Sequence, residues 1–217
     1  MQLIFLYIKR YLASSKYFWK YRHFFQPSIF ENTYGTIPIK HFNKVFKKKK
    51  INSVLDFGCA TGDKLEYFFS RTGRGGAKYV YGIDINPKAI NTASNKASNF
   101  SIESKFSTSL RISEVSEFLK NNKLKKFDLV VAERVFLIMN KEFYYTLKIL
   151  SKITKYIYID DFFHNDKLTL RKNIKNYIHT NFDLMLKKLS FKKIYSSNSP
   201  YCKVIYANSK SALYKKI

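Results

Sequence analysis

The chain has 217 residues, 46% of them hydrophobic and 25% charged, with a formal net charge of +25. That length buries one good core and suits a single α/β domain with appendages. Two cysteines, Cys59 and Cys202, are too few for a disulfide scaffold, so a reducing, cytoplasmic setting is expected. The charge invites a nucleic-acid partner, but 33 of the 40 basic residues are Lys and 7 are Arg. Bidentate phosphate and guanine contacts favour the planar guanidinium, so an Arg-poor surface is a weak signature of specific readout. Lys, Asn, Ile, Phe and Tyr make up 107 of the 217 residues. All five have A/T-rich codons, so coding bias explains the charge before any partner does, and nucleic acid stays as the alternative.

In chain order, "MQLIFLYIKRYL" has eight residues before Lys9 and Arg10, too few to span a bilayer, and it lacks a basic leader and a small-residue cleavage site. It reads as a packing helix, with peripheral contact to an anionic membrane surface as the second reading. "SKYFWKYRHFFQPSIFENTYG" is unusually aromatic, with Arg22 and His23 at its centre. It reads as a helix packing Tyr17, Phe18, Tyr21 and Phe24, and also as a lid that excludes water. Residues 1–35 are therefore taken as an N-terminal helical cap, and 36–217 as the main domain.

"TIPIKHFNKVFKKK" has Ile39, Phe42, Val45 and Phe46 at helical spacing, with Pro38 near a first-turn position. The run Lys47 to Lys50 suits a helix C-terminus. Strand-like "SVLDF" leads through a small-residue loop to a helix over about 62–70, and "YVYGIDI" follows a Gly-rich turn. In "NPKAINTASNKAS", Asn86 is an N-cap and Pro87 stands at the first helical position. "SIESKF" reads as a weak strand, "ISEVSEFLKNN" as a helix, "FDLVVAERVF" as a buried strand, "KEFYYTLKILSKI" as a helix and "KYIYIDDFF" as a strand. Apolar spacing over 166–189 predicts a long amphipathic helix, and "FKKIYSS" with "CKVIYANS" an antiparallel pair. Alternating strands and helices imply a doubly wound, mostly parallel α/β sheet, with the hairpin as a mixed edge. Ligand-binding residues then belong at the carboxyl ends of the strands.

The loop "VLDFGCATGD" decides which ligand. Its spacing is Gly58, Ala60, Gly62, then Asp63, so a dinucleotide fingerprint lacks its third glycine, and no P-loop lysine pattern is present. Asp56, at the strand end before the turn, would oppose a pyrophosphate on the helix N-terminus but would suit a ligand with an ammonium and a sulfonium.

"VLDFGCATG" resembles the first motif of the class I S-adenosylmethionine-dependent methyltransferases, hydrophobic-hydrophobic-(D/E)-x-G-x-G-x-G, departing from it at Ala60. Ala there adds a methyl where the cofactor's backbone passes and is awkward if the position needs φ > 0. Asp84 ends the next strand, 22 residues after Gly62, where the resemblance implies a carboxylate on the ribose hydroxyls. "FDLVVAERVF", opened by Asp128, resembles the family's fourth strand. The resemblance covers about residues 36–210 and implies a seven-stranded sheet with a C-terminal antiparallel hairpin. It also implies S-adenosyl-L-methionine as cofactor, held by Asp56, Gly58, Cys59, Ala60, Gly62, Asp84, Ile85 and Glu133.

For the acceptor, "AERV" stands where amino-group methyltransferases of adenine or glutamine carry an [ND]-P-P-[YFW] loop, and neither Cys59 nor Cys202 is placed as a cytosine-attacking nucleophile. A small hydroxylated acceptor, a sugar or metabolite, is the leading expectation, with N-methylation of a small amine beside it. RNA methylation and a non-catalytic binding module are the alternatives. The proton-taking candidates are His164 and Asp161, with Asp160 beside them and Glu133 at the neighbouring strand end. Glu133, Asp160 and Asp161 could also supply oxygen ligands for Mg²⁺, a reading not favoured over a metal-free site.

Overall fold

The computed structural model describes residues 37–46, 49–64, 67–68, 76–98, 103–108, 117, 120, 126–139, 143–163, 170–172, 178–199 and 209–217. The proposed N-terminal cap (1–35), His164, Cys202 and most of the helices expected over 62–70 and 112–122 lie outside these residues.

The order is α1 (Ile37–Phe46), β1 (Ser53–Phe57), β2 (Tyr79–Asp84), α2 (Pro87–Ala97), β3 (Glu103–Thr108) and β4 (Phe127–Glu133). A 3-10 turn (Phe136–Ile138), α3 (Phe143–Ile153), β5 (Thr154–Phe162), β6 (Leu170–Lys172) and β7 (Ile178–Thr180) follow, then α4 (Phe182–Lys188), β8 (Phe191–Asn198) and β9 (Ser209–Lys216). One mixed sheet runs in the order β3-β2-β1-β4-β5-β9-β8. Its first five members are parallel, whereas β9 is antiparallel to β5 and β8 to β9. The order reverses between β1 and β4, which places the ligand crevice beyond their carboxyl ends.

Alternation along each strand gives the sheet two apolar faces. Leu55, Tyr81, Val130, Ile157 and Ile159 pack with Phe143, Leu147 and Leu150 of α3 and Phe182, Met185 and Leu186 of α4. Val54, Val80, Leu129, Val131, Tyr158 and Leu213 pack on the other face with Phe42, Val45 and Phe46 of α1. Both faces of the parallel part are thus covered, which is why its strands read as continuous apolar runs. The outer strand β8 exposes Lys192, Lys193 and Ile194, and charge on an unpaired edge discourages further strand addition.

Two sequence expectations are corrected. The long helix over 166–189 is instead a short antiparallel pair, β6 with β7, followed by α4. The break is Asn181, whose side-chain oxygen accepts from Leu184 N at 2.9 Å and starts a new helix. The strand paired with "FKKIYSS" is "SKSALYKK", with Ser197 paired to Ser211 and Asn198 to Lys210, and all of "CKVIYANS" but its last residue lies outside the described residues. As expected from "KYIYIDDFF", β5 runs to Phe162 and holds both Asp160 and Asp161.

Candidate cofactor site and its charged surround

β1 ends in Phe57, and three positive-φ residues turn the chain: Gly58 (+78°), Ala60 (+47°) and Gly62 (+73°). Ala60 therefore sits in the left-handed region, the awkward case its methyl group raised. Gly58 is required by close approach as well, since a Cβ there would lie 3.0 Å from Val135 Cβ. The loop uses its N–H groups internally. Gly58 N and Cys59 N donate to Ile83 O at 2.8 and 3.1 Å, Ala60 N to Asp84 Oδ2 at 2.9 Å, and Gly62 N to Cys59 O at 3.0 Å. A phosphate cradle would instead aim such donors at the ligand.

Asp84 closes β2 and receives two backbone donors, Ala60 N on Oδ2 and Asn86 N on Oδ1, both at 2.9 Å. It thereby ties the loop after β1 to the loop after β2, where Ile85 stands half-buried. Asn86 caps α2 as expected, its Oδ1 accepting from Ala89 N at 3.0 Å, with Pro87 at the helix start. Cys59 is buried, and burial with the charges of Asp84 and Asp56 raises its thiol pKa. A thiol held protonated in this way is a packing group, not a nucleophile. Asp128, at the opposite end of the sheet, accepts from Asn52 N and Ser53 N and so joins β4 to β1 away from the crevice.

On the α1 face of the sheet, Asp56 and Glu133 stand at the neighbouring ends of β1 and β4. Between them lies Lys64, whose Nζ is 3.0 Å from Asp56 Oδ1 and 3.2 Å from Glu133 Oε2. Asp56 is 1% exposed, and burial raises its carboxyl to about 6, with Lys64 opposing and Glu133 and Asp84 adding. Burial alone would lower the Lys64 pKa, but Asp56 and Glu133 outweigh it and hold the ammonium above its usual range. Asp56 Oδ2 and Glu133 Oε1 are buried, and neither accepts a hydrogen bond among the described residues. Lys64 was missed in the sequence because one lysine among 33 reads as solvated. Its signal was its place: Phe68 N donates to Lys64 O at 3.1 Å, a helical bond, and a cation in a first helical turn opposes the macrodipole unless paired.

Glu133, Asp160 and Asp161 do not converge. Neighbours on a strand face opposite ways, so Asp160 follows Tyr158 to one face and Asp161 follows Ile159 to the other. Asp160 is fully buried and pairs with Arg134 Nη2 at 2.8 Å, while Ser199 Oγ donates to it at 2.8 Å and Ser211 Oγ donates to its other oxygen. Burial pushes its pKa up, Arg134 pulls it down, Glu133 on the neighbouring strand adds to the rise, and Ser211 and Ser199 oppose it. Arg134 also donates to Ser199 and Ser209, and its own backbone is held at φ +58° by its N–H bond to Asp160 O. Asp161 accepts from Phe162 N at 2.8 Å and Leu137 N at 3.2 Å, bracing the 3-10 turn, and burial raises its carboxyl to about 7. With both oxygens on backbone donors and no exposure, Asp161 does not face an acceptor in this conformation. Among the described residues no three His, Cys, Asp or Glu side chains stand close enough to hold a metal ion, so the three carboxylates do not form the Mg²⁺ cluster considered above.

Among the described residues no helix is long and apolar enough to cross a membrane. The family model described as "Methyltransferase domain" matches residues 48–217. No curated protein sequence matches the chain. Among solved structures, phosphoethanolamine N-methyltransferase 1 of Haemonchus contortus, in complex with phosphoethanolamine and S-adenosylhomocysteine, is similar over 96% of this chain and 49% of its own, at 13% identity and a TM-score of 0.65. An S-adenosylmethionine-dependent methyltransferase from Clostridium acetobutylicum ATCC 824 matches over 90% and 96% of the two chains, at 13% identity and a TM-score of 0.53. The N-methyltransferase NodS from Bradyrhizobium japonicum WM9 matches over 87% and 97%, at 13% identity and a TM-score of 0.56. At such identities the likeness is one of fold. The family match covers most of the chain, and the sheet order, the loop after β1 and Asp84 agree with it: the chain belongs to the methyltransferase-domain family, with the fold of the class I S-adenosylmethionine-dependent enzymes.

Proposed function

We propose that this chain is an S-adenosyl-L-methionine-dependent methyltransferase whose acceptor is a small hydroxylated molecule, a sugar or metabolite. The observation that carries the cofactor assignment is the acidic cluster at the switch point. Asp56 and Glu133 keep buried oxygens without hydrogen bonds, and the loop spends its N–H groups inside the protein. That donor set fits a cationic, amino-acid-bearing ligand better than a phosphate.

When bound, the cofactor supplies a methyl group activated on a sulfonium. The chain's own residues bind and orient. Gly58, Ala60 and Gly62 let the backbone pass close to the ligand, with Cys59 packing beneath, and Asp56 with Glu133 receives the amino-acid end. Asp84 takes the ribose hydroxyls, and Ile85 lies against the adenine. In-line displacement then needs an acceptor positioned in line and, for a hydroxyl, a base. His164 remains our candidate for that base, two residues beyond the end of β5, with Asp161 bracing the turn beside it. Residues 1–35 are proposed as the cap over this side of the sheet. The fold neighbours that are N-methyltransferases bring a small amine into the same acceptor class.

RNA is the second acceptor class, and the +25 net charge supports it. The deciding experiment supplies methyl-labelled cofactor with metabolite extract or with total RNA. Label in the low-mass fraction, reduced far more than cofactor affinity by His164→Ala, supports the proposal. Label in RNA with steep salt dependence replaces it, and cofactor binding without transfer to either fraction points to a non-catalytic module.

A further inference from the structure

Lys64 has no role in the binding scheme so far, yet it sits at the centre of the site. Its ammonium touches one oxygen of each carboxylate, Asp56 Oδ1 and Glu133 Oε2, which come from adjacent strands on one face. The other oxygens, Asp56 Oδ2 and Glu133 Oε1, stay buried and accept no hydrogen bond among the described residues. A purely structural bridge would be expected to satisfy the groups it buries. Two buried carboxylates this close would share a proton if no cation stood between them, and a protonated carboxyl is a poor receptor for an ammonium. The charged groups acting on Asp56 are Lys64, Glu133 and Asp84, with the Cys59 thiol beside it, and Glu133 in turn faces Asp160 of β5, which is paired with Arg134. Three carboxylates against one ammonium leave the site anionic, which complements a ligand carrying both an ammonium and a sulfonium.

We propose that Lys64 is a positioning residue that holds Asp56 and Glu133 ionised and aligned, so that Asp56 Oδ2 and Glu133 Oε1 together receive the α-ammonium of the cofactor's methionyl arm. The proposal rests on the cofactor reading above and adds to it a resident cation that prepares the site for a second one.

The test is calorimetry with two probes between about pH 5.5 and 8.5. S-adenosylhomocysteine carries the amino-acid arm, and 5′-methylthioadenosine shares the adenosine and thioether without it. For the wild type, S-adenosylhomocysteine affinity falls as pH drops through about 6, where the Asp56 carboxyl takes up its proton, and methylthioadenosine affinity does not. In Lys64→Met this fall moves up by about two pH units, which lowers affinity at pH 7 roughly tenfold. Methylthioadenosine binding stays unchanged, and Lys64→Arg keeps the wild-type profile. Superimposable S-adenosylhomocysteine profiles for wild type and Lys64→Met overturn the proposal. Should Lys64→Met not fold, proton release by the wild type near pH 6, read in buffers of different ionisation enthalpy, decides the matter. Release with S-adenosylhomocysteine and none with methylthioadenosine supports the proposal, and equal release with both overturns it. A wild type that binds neither probe removes the cofactor reading itself, an outcome distinct from these.

Discussion

Ala60→Gly tests the loop geometry through the residue where this sequence departs from its family's motif. Ala60 sits at φ +47°, and an L side chain in the left-handed region costs ~1–2 kcal/mol relative to right-handed backbone. Glycine removes that cost but widens the unfolded ensemble, which returns ~0.4–1 kcal/mol. The bond from Ala60 N to Asp84 Oδ2 is a backbone bond and survives the change. The net expectation is a stabilisation of ~0.5–1 kcal/mol, which for a chain this long is about 1–4 °C in Tm. The assay is a urea or thermal transition of the two proteins under one buffer, with Thr61→Gly as control. Thr61 has no positive φ and donates to Asp63 Oδ1 at 2.9 Å, so its glycine variant should lose stability. Ala60→Gly falling in step with Thr61→Gly would refute the strain argument.

Three further outcomes follow from the charged groups. Asp84→Ala removes the acceptor of two backbone N–H groups, so it should cost ~2–3 kcal/mol of stability and lower S-adenosylhomocysteine affinity by about ten- to a hundredfold; a variant that keeps full affinity excludes Asp84 from the ribose site. Arg134→Met strips the cation from fully buried Asp160 and should cost on the order of 3–5 kcal/mol in denaturant unfolding. Adding Asp160→Asn to Arg134→Met should recover part of that loss, and no recovery would mean that the serine hydroxyls alone carry the carboxylate. Asp161, raised to about 7 in the fold, binds a proton that the unfolded chain has released above about 4. It therefore stabilises the fold below about pH 4, and this contribution is lost as pH rises to about 7. The stability of Asp161→Asn relative to wild type should rise across that window by a few kcal/mol at most; parallel pH curves would contradict it.

What the sequence showed depended on whether the signal was local. Asn86 with Pro87 fixes a helix start from adjacent residues, and the structure has the cap where it was expected. The run "SVLDF" and the glycines after it marked a strand and its exit turn for the same reason. Asp160 and Asp161 stand in the strand expected from "KYIYIDDFF", but what makes them tolerable there was not legible: Asp160 meets Arg134, Ser199 and Ser211, and Asp161 meets the N–H groups of Phe162 and Leu137. The partner that explains Asp160 lies 26 residues upstream in sequence and cannot be read from its neighbours. Lys64 was hidden by composition, since its two carboxylates come from β1 and β4 and meet only once the sheet has formed. The helix over 166–189 failed at Asn181, where a single capping side chain outweighed an apolar spacing that fitted the wrong element.

We propose that the crevice between the ends of β1, β2 and β4 receives S-adenosylmethionine and its product. Titrating the wild-type chain with S-adenosylhomocysteine at pH 7.5 tests it most directly. One saturable site, weakened at least tenfold by Asp84→Ala in a protein that remains folded, is the predicted result. Absence of binding by the folded wild type would contradict the claim.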